Sequence, residues 1–166
     1  MANINFQLLK WQKSVLSDPA RFKVICAGRR CGKSRLAAVM LLIEGLNCPS
    51  GSAVMYVAPT MGQARVIIFD LLQEMGREVI ASAHVNNLDI TLVNGTKIFV
   101  RGADRPDTLR GVSLTFVVLD EYADMKPVVL EQIIRASLSD KKGRALFIGT
   151  PKGRNHFYDV YQLGAA

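Results

Sequence analysis

The chain has 166 residues, 49% of them apolar, a length that implies one domain and a composition that excludes a disordered tail. Its longest unbroken apolar run, Leu36 to Ile43, is far short of the roughly 20 residues a membrane-spanning helix needs. Lysine and arginine number 21 against 14 acids, a formal charge of +7 that favours a phosphate-bearing partner, nucleotide or nucleic acid.

The amino terminus, Met1-Ala2-Asn3-Ile4-Asn5, carries neither a basic start nor an apolar signal core, so a soluble intracellular protein is expected. Phe6, Leu9, Trp11, Val15 and Leu16 predict a short amphipathic helix closed by Asp18-Pro19. Phe22 to Ala27 reads as a short strand, followed by a turn rich in glycine and arginine. A strong helical pattern then runs from Lys33 to about Leu46. Ala53 to Ala58 is a buried strand stopped by Pro59. Helical periodicity continues from Gly62 to Ile80.

Asp89 to Val93 and Lys97 to Arg101 flank Asn94-Gly95, a strong hairpin signal. Gly102 to Ser113 is polar and reads as a loop. Thr115 to Leu119 and Ala145 to Ile148 are further buried strands, separated by a helix from Val128 to Leu138. Uninterrupted apolar strands alternating with helices predict an α/β domain with a mostly parallel sheet, flanked by helices and carrying one inserted hairpin. Residues 1–166 form that single domain. Ligands of such sheets sit beyond the carboxyl ends of the strands, which here means after Ala27, Ala58, Leu119 and Ile148.

Cys26, Cys31 and Cys48 are odd in number and lack CxxC spacing, which argues against a disulfide framework or a zinc site. The chemistry points elsewhere. Ala27-Gly28-Arg29-Arg30-Cys31-Gly32-Lys33-Ser34 fits the phosphate-loop pattern, and it falls between a strand and a helix. Gly28 and Gly32 permit backbone angles that aim several N–H groups into one anion-binding hollow, beside the helix's positive end. Lys33 reaches the β- and γ-phosphates of ATP, and the Ser34 hydroxyl is a ligand for Mg²⁺. Arg35 extends the nucleotide-binding stretch.

The second signal is Phe116-Val117-Val118-Leu119-Asp120-Glu121. A buried strand ending in Asp holds Mg²⁺ through its water shell, opposite Ser34. The adjacent Glu121 is placed to deprotonate an attacking water. A small-molecule kinase has no water to activate, so the Asp-Glu pair favours ATP hydrolysis over phosphoryl transfer to a metabolite.

In this order the motifs resemble the N-terminal ATPase domain of the large terminase subunit of tailed phages, the motor that packs DNA into proheads. Leu9-Lys10-Trp11-Gln12 resembles the family's adenine-contacting segment, with Gln12 as reader. Gly28 to Ser34 resembles its arginine-bearing phosphate loop, and Ala58 to Ala64 a segment shared with helicases. Ala103-Asp104-Arg105-Pro106-Asp107-Thr108-Leu109-Arg110-Gly111 is the most family-specific piece. Gly149-Thr150-Pro151-Lys152-Gly153 resembles the coupling motif that senses the γ-phosphate.

The resemblance implies a P-loop NTPase fold of the additional-strand, catalytic-glutamate type. It also implies double-stranded DNA, a prohead portal and a small terminase subunit as partners, in the cytoplasm of a bacterial host. The active form would be a homo-oligomeric ring, and the isolated chain a monomer. Full-length members continue into a nuclease domain, which this sequence does not reach, so no nuclease activity is expected of it.

Several residues keep two readings. Arg29 and Arg30 either face the nucleotide or pair with an acid outside the loop. Arg110 is a candidate arginine finger donated to a neighbouring subunit, or else a solvated or DNA-facing arginine. Thr150 is either a γ-phosphate sensor or part of a plain strand-end turn. Two other functions remain open: a helicase-like DNA-dependent ATPase, and a remnant that binds nucleotide without turnover.

Overall fold

Apolar strands without a polar face need cover on both sides, and the chain supplies it. The structure, a computed structural model, describes residues 6–28 and 30–165. Seven strands form one sheet: β1 (Phe22–Cys26), β2 (Ala53–Ala58), β3 (Ile80–His84), β4 (Asp89–Leu92), β5 (Lys97–Gly102), β6 (Phe116–Asp120) and β7 (Arg144–Gly149). Their order is β1-β7-β6-β2-β5-β4-β3. The pairs β1–β7, β7–β6, β6–β2 and β2–β5 are parallel, while β4 and β3 are added antiparallel. Cys26, Ala58, Gly102, Asp120 and Gly149 therefore all end at one edge. Strand β7 lies between β1 and β6, an additional strand separating the phosphate-loop strand from the acid-bearing one. The expected α/β architecture is present.

The helices are α1 (Lys10–Ser17), α2 (Lys33–Asn47), α3 (Met61–Ala64), α4 (Asp70–Met75), α5 (Arg135–Ser139) and α6 (His156–Ala165). The period-2 alternation of the strands sorts their side chains between two cores. Val54, Tyr56, Ala58, Phe116 and Val118 pack with α2 on one face. Met55, Val57, Val117 and Leu119 pack with Ile134, Leu138 and Phe157 on the other. Helix α2 lies between the sheet and α4, which is why Leu36 to Leu42 are buried on every side and read as one apolar run.

One expectation needs correction. The helical pattern stops at Met75 rather than Ile80, because Gly76 caps the helix where a Cβ would meet the Leu72 carbonyl oxygen at 2.9 Å. Ile80–His84 instead forms β3 along the free edge of β4, so an antiparallel ladder with the next strand overrides the helical period. The Asn94-Gly95 hairpin is present, and its second strand also pairs with β2 from Ala53↔Lys97 to Ala58↔Gly102. The inserted hairpin thus extends the main sheet. Helix α6, after the last strand, had no counterpart among the expected elements.

Gly102 ends β5 where no side chain fits. A Cβ there would lie 2.1 Å from the Met61 nitrogen and 2.6 Å from the Thr60 carbonyl carbon, both rigid backbone. Gly102→Ala is therefore expected to destabilise the fold by about 3 kcal/mol, the upper end of overpacking costs. Denaturant unfolding measures it, and a loss below about 1 kcal/mol would contradict the close approach.

Candidate functional site

The phosphate loop leaves β1 and is anchored at its start, where the Ala27 N–H donates to the Gly149 carbonyl at 3.1 Å. Two residues then adopt left-handed backbone, Arg30 at φ 61° and Gly32 at φ 88°. For a non-glycine residue such a conformation costs about 1–3 kcal/mol and persists only when its surroundings enforce it. Gly32 is the residue preceding α2, so the first turn of that 15-residue helix opens into the loop. Lys33 turns back along it, its Nζ donating to the Ala27 carbonyl at 2.8 Å. A lysine held on the rim by a neutral carbonyl can exchange that partner for phosphate oxygens.

Across the edge stand the two acids. Asp120 is 5% exposed and lies on the face of β6 that α2 covers. Burial pushes its carboxyl above the usual carboxylate range, while hydrogen bonds from the Tyr56 hydroxyl and the Glu121 N–H, and the Lys33 charge, pull it back. Glu121 sits at φ 50°, ψ 48°, a left-handed residue that turns the chain out of the sheet. That turn sends its side chain to the end of β7, where the Thr150 hydroxyl donates to Glu121 Oε2 at 3.4 Å.

Lys152 lies 3.7 Å from the same oxygen and donates to Asp124 Oδ2 at 2.6 Å. The bond to Asp124, with the charges of Asp124 and Glu121, holds Lys152 above the usual lysine range. His156 Nε2 donates to the Tyr122 carbonyl at 2.7 Å, and its ring meets that of Tyr122 edge-on at 4.8 Å. The start of α6 is thereby fixed against the segment carrying Glu121.

Most sequence-derived candidates converge here, with differences in detail. Gln12 is 1% exposed and both ends of its carboxamide are engaged: it accepts from the Leu9 N–H at 2.7 Å and donates to the Gly32 carbonyl at 2.9 Å. It braces the phosphate loop, and contact with adenine would require one of these bonds to be exchanged. Arg35 donates to the Gln7 carbonyl at 3.3 Å, tying α2 to the N-terminal segment. Gly28 and Cys31 lie in the loop, Ser34 lies in the first turn of α2, and Arg29 lies outside the described residues.

Arg110 is exposed and joins no ion pair among the described residues. Its loop leaves Gly102 at the site edge and enters β6 at the opposite edge, bringing Arg110 beside Gln132 and Ile133. A concavity of about 680 Å³ lies elsewhere, along the open side of β1 between Phe22, Leu138 and Val160. None of the candidate residues lines it.

Sequence reasoning missed the roles of Tyr56, Asp124 and Lys152. A tyrosine inside an otherwise apolar strand was the available signal, since a buried phenol normally requires a hydrogen-bond partner.

A hydroxyl and a carboxylate are hard oxygen donors of the kind Mg²⁺ takes when phosphates and waters complete its shell, so Ser34 and Asp120 fit that ion. Glu121, next to Asp120 and turned out of the sheet, is a further carboxylate at the same edge. The arrangement can bind a polyphosphate and activate water beside it.

Comparison with known proteins agrees with this geometry. A family model described as the ATPase domain of the terminase large subunit matches residues 7–163. The large terminase subunit of Thermus phage G20c is 34% identical over 173 residues, covering 92% of this chain and 36% of that protein. The solved ATPase domain of the large terminase from Thermus phage P74-26 matches with a TM-score of 0.84 at 32% identity, covering 95% of this chain and 70% of that one. The large terminase of another thermophilic bacteriophage, solved in complex with ATP-gamma-S, matches with a TM-score of 0.76 at 19% identity. That match covers 93% of this chain and 41% of the other, and it speaks to the fold. The chain spans roughly a third of the curated relative's length.

Proposed function

This chain belongs to the family of terminase large subunit ATPase domains, and on that premise we propose that it hydrolyses ATP with Mg²⁺ to drive double-stranded viral DNA into a prohead. The observation that carries the reading is the meeting of a strand–loop–helix anion hollow with a buried Asp120 and an out-turned Glu121 at one sheet edge.

Each residue has a role that follows from its place. The loop N–H groups and α2 receive the β- and γ-phosphates, and Lys33 exchanges the Ala27 carbonyl for their oxygens. Ser34 and Asp120 would hold Mg²⁺, which when bound neutralises charge on the phosphates. Glu121 accepts the proton of the attacking water. Thr150, hydrogen-bonded to Glu121 and next to the end of β7, is the candidate that reports γ-phosphate loss to α6. Arg110, and within the loop Arg30, are the candidate cations for charge developing in the transition state. The family's partners, a portal, a small subunit and DNA within a ring of subunits in the host cytoplasm, are proposed for this chain as well.

Binding is the first step to test. Lys33→Ala removes the side-chain cation that the loop's spacing fixes against the phosphates. Titration with a fluorescent ATP analogue is expected to show affinity lost or severely reduced. Unchanged affinity in a folded variant would overturn the phosphate-loop assignment.

A further inference from the structure

Tyr56 is 0% exposed, in the middle of β2, on the face packed by α2. Phenylalanine would fill the same space without bringing a polar group under the sheet, where an unpaired hydroxyl is costly. The hydroxyl is paired. It donates to Asp120 Oδ2 on the adjacent strand.

Register explains why a tyrosine reaches. Tyr56 lies opposite Val118, so Asp120 is two residues further toward the carboxyl edge. Two residues of strand advance about 6.6 Å, which the length of a phenol side chain leaning along the strand spans. A serine or threonine at the same position would fall short. Val54 and Ala58, the neighbours on this face of β2, carry no polar atom that could replace it.

The bond engages one carboxylate oxygen from beneath the sheet edge, and the Glu121 N–H adds a second donor to the same carboxylate. Lys33, at the start of α2, lies near enough for its charge to act on the same carboxylate. Burial also keeps the phenol protonated far above neutral pH, so it is a permanent donor.

We infer that Tyr56 is a positioning residue for cation binding, setting the rotamer in which Asp120 meets the water shell of Mg²⁺. The inference rests on the reading of Asp120 as the Mg²⁺ residue. Partners of this kind, one shell behind a metal's ligands, typically alter metal affinity by about 10–100-fold when removed. The Tyr56 hydroxyl is buried and bonds to Asp120, so its effect should appear in metal affinity.

The test uses the whole chain with Tyr56→Phe, which keeps the ring and removes only the hydroxyl. Binding of a fluorescent non-hydrolysable ATP analogue is measured without metal, then Mg²⁺ is titrated into the nucleotide-loaded protein. Metal-free nucleotide affinity is expected to match that of the unaltered chain, while the Mg²⁺ midpoint rises about tenfold. On an Asp120→Asn background, Tyr56→Phe should move the midpoint no further. An unchanged midpoint, or an equal shift on both backgrounds, would overturn the inference and leave Tyr56 a packing residue. Loss of metal-free nucleotide binding in Tyr56→Phe would overturn it too, by showing a general effect on the fold. If the unaltered chain shows no Mg²⁺-dependent change, or Asp120→Asn leaves its midpoint in place, the reading of Asp120 itself fails.

Discussion

Glu121→Gln is expected to lower ATP turnover by about 10²–10⁴, the usual worth of a positioned general base, while leaving Mg²⁺-dependent ATP binding in place. The amide has the carboxylate's shape and still accepts from the Thr150 hydroxyl, so the contact between the ends of β6 and β7 survives. Left-handed backbone at this position constrains glutamine and glutamate alike, so the turn out of the sheet is kept. What disappears is the proton acceptor and the charge that faces Lys152 at 3.7 Å. Binding groups are untouched: Lys33, the loop N–H groups, Ser34 and Asp120 are all present. Phosphate release measured at saturating ATP, beside analogue binding on the same preparation, separates the two effects. Full turnover in this variant would move the base elsewhere, with Asp120 the next candidate. Weakened binding with turnover reduced in proportion would make Glu121 a ligand and not a base.

The residues of that argument were legible in the sequence for a local reason. Gly32, Lys33 and Ser34 act through contiguous backbone, and Asp120 and Glu121 are adjacent, so neighbouring positions carry each motif whole. Central strands such as β2 and β6 were equally plain, because burial on both faces leaves no polar alternation to confuse with anything else. Edge strand β3 was not. Its burial is partial and irregular, and the preceding helix had a matching period up to Ile80. Only pairing with β4 decides between the two.

Side-chain partnerships were the least visible layer. Tyr56 and Asp120 are 64 residues apart, and Lys152 and Asp124 are 28 apart. Their meeting depends on β2 and β7 both lying beside β6, which no local window contains. The same applies to Gln12, which a motif likeness marks as an adenine reader but which the fold joins to Gly32. Its covalent neighbourhood gives no hint of that brace, 20 residues along the chain.

Arg110→Ala is expected to leave nucleotide affinity nearly intact and to lower turnover by about 10³ or more, because an arginine finger acts on transition-state charge. The fold gives reasons for placing that action between subunits. Arg110 is exposed on the crossover from β5 to β6 and has no acidic partner holding it to its own domain among the described residues. It lies beside Gln132 and Ile133, whereas the loop's own cation, Lys33, sits at the carboxyl edge of the sheet. A guanidinium on the flank is suited to a neighbour's γ-phosphate when subunits stand side by side. Turnover of the chain should therefore rise with protein concentration, or when DNA promotes assembly. Mixing supplies the decisive comparison. Arg110→Ala chains retain Glu121, Glu121→Gln chains retain Arg110, and each preparation alone should be nearly inactive. In a mixed assembly the second chain's arginine completes the first chain's site, and activity should return to a fraction set by the mixing ratio. Failure to recover, in mixtures shown by light scattering to assemble, would refute action between subunits. Arg30, left-handed and exposed inside the phosphate loop, would then be the described arginine placed to serve the same site within one chain.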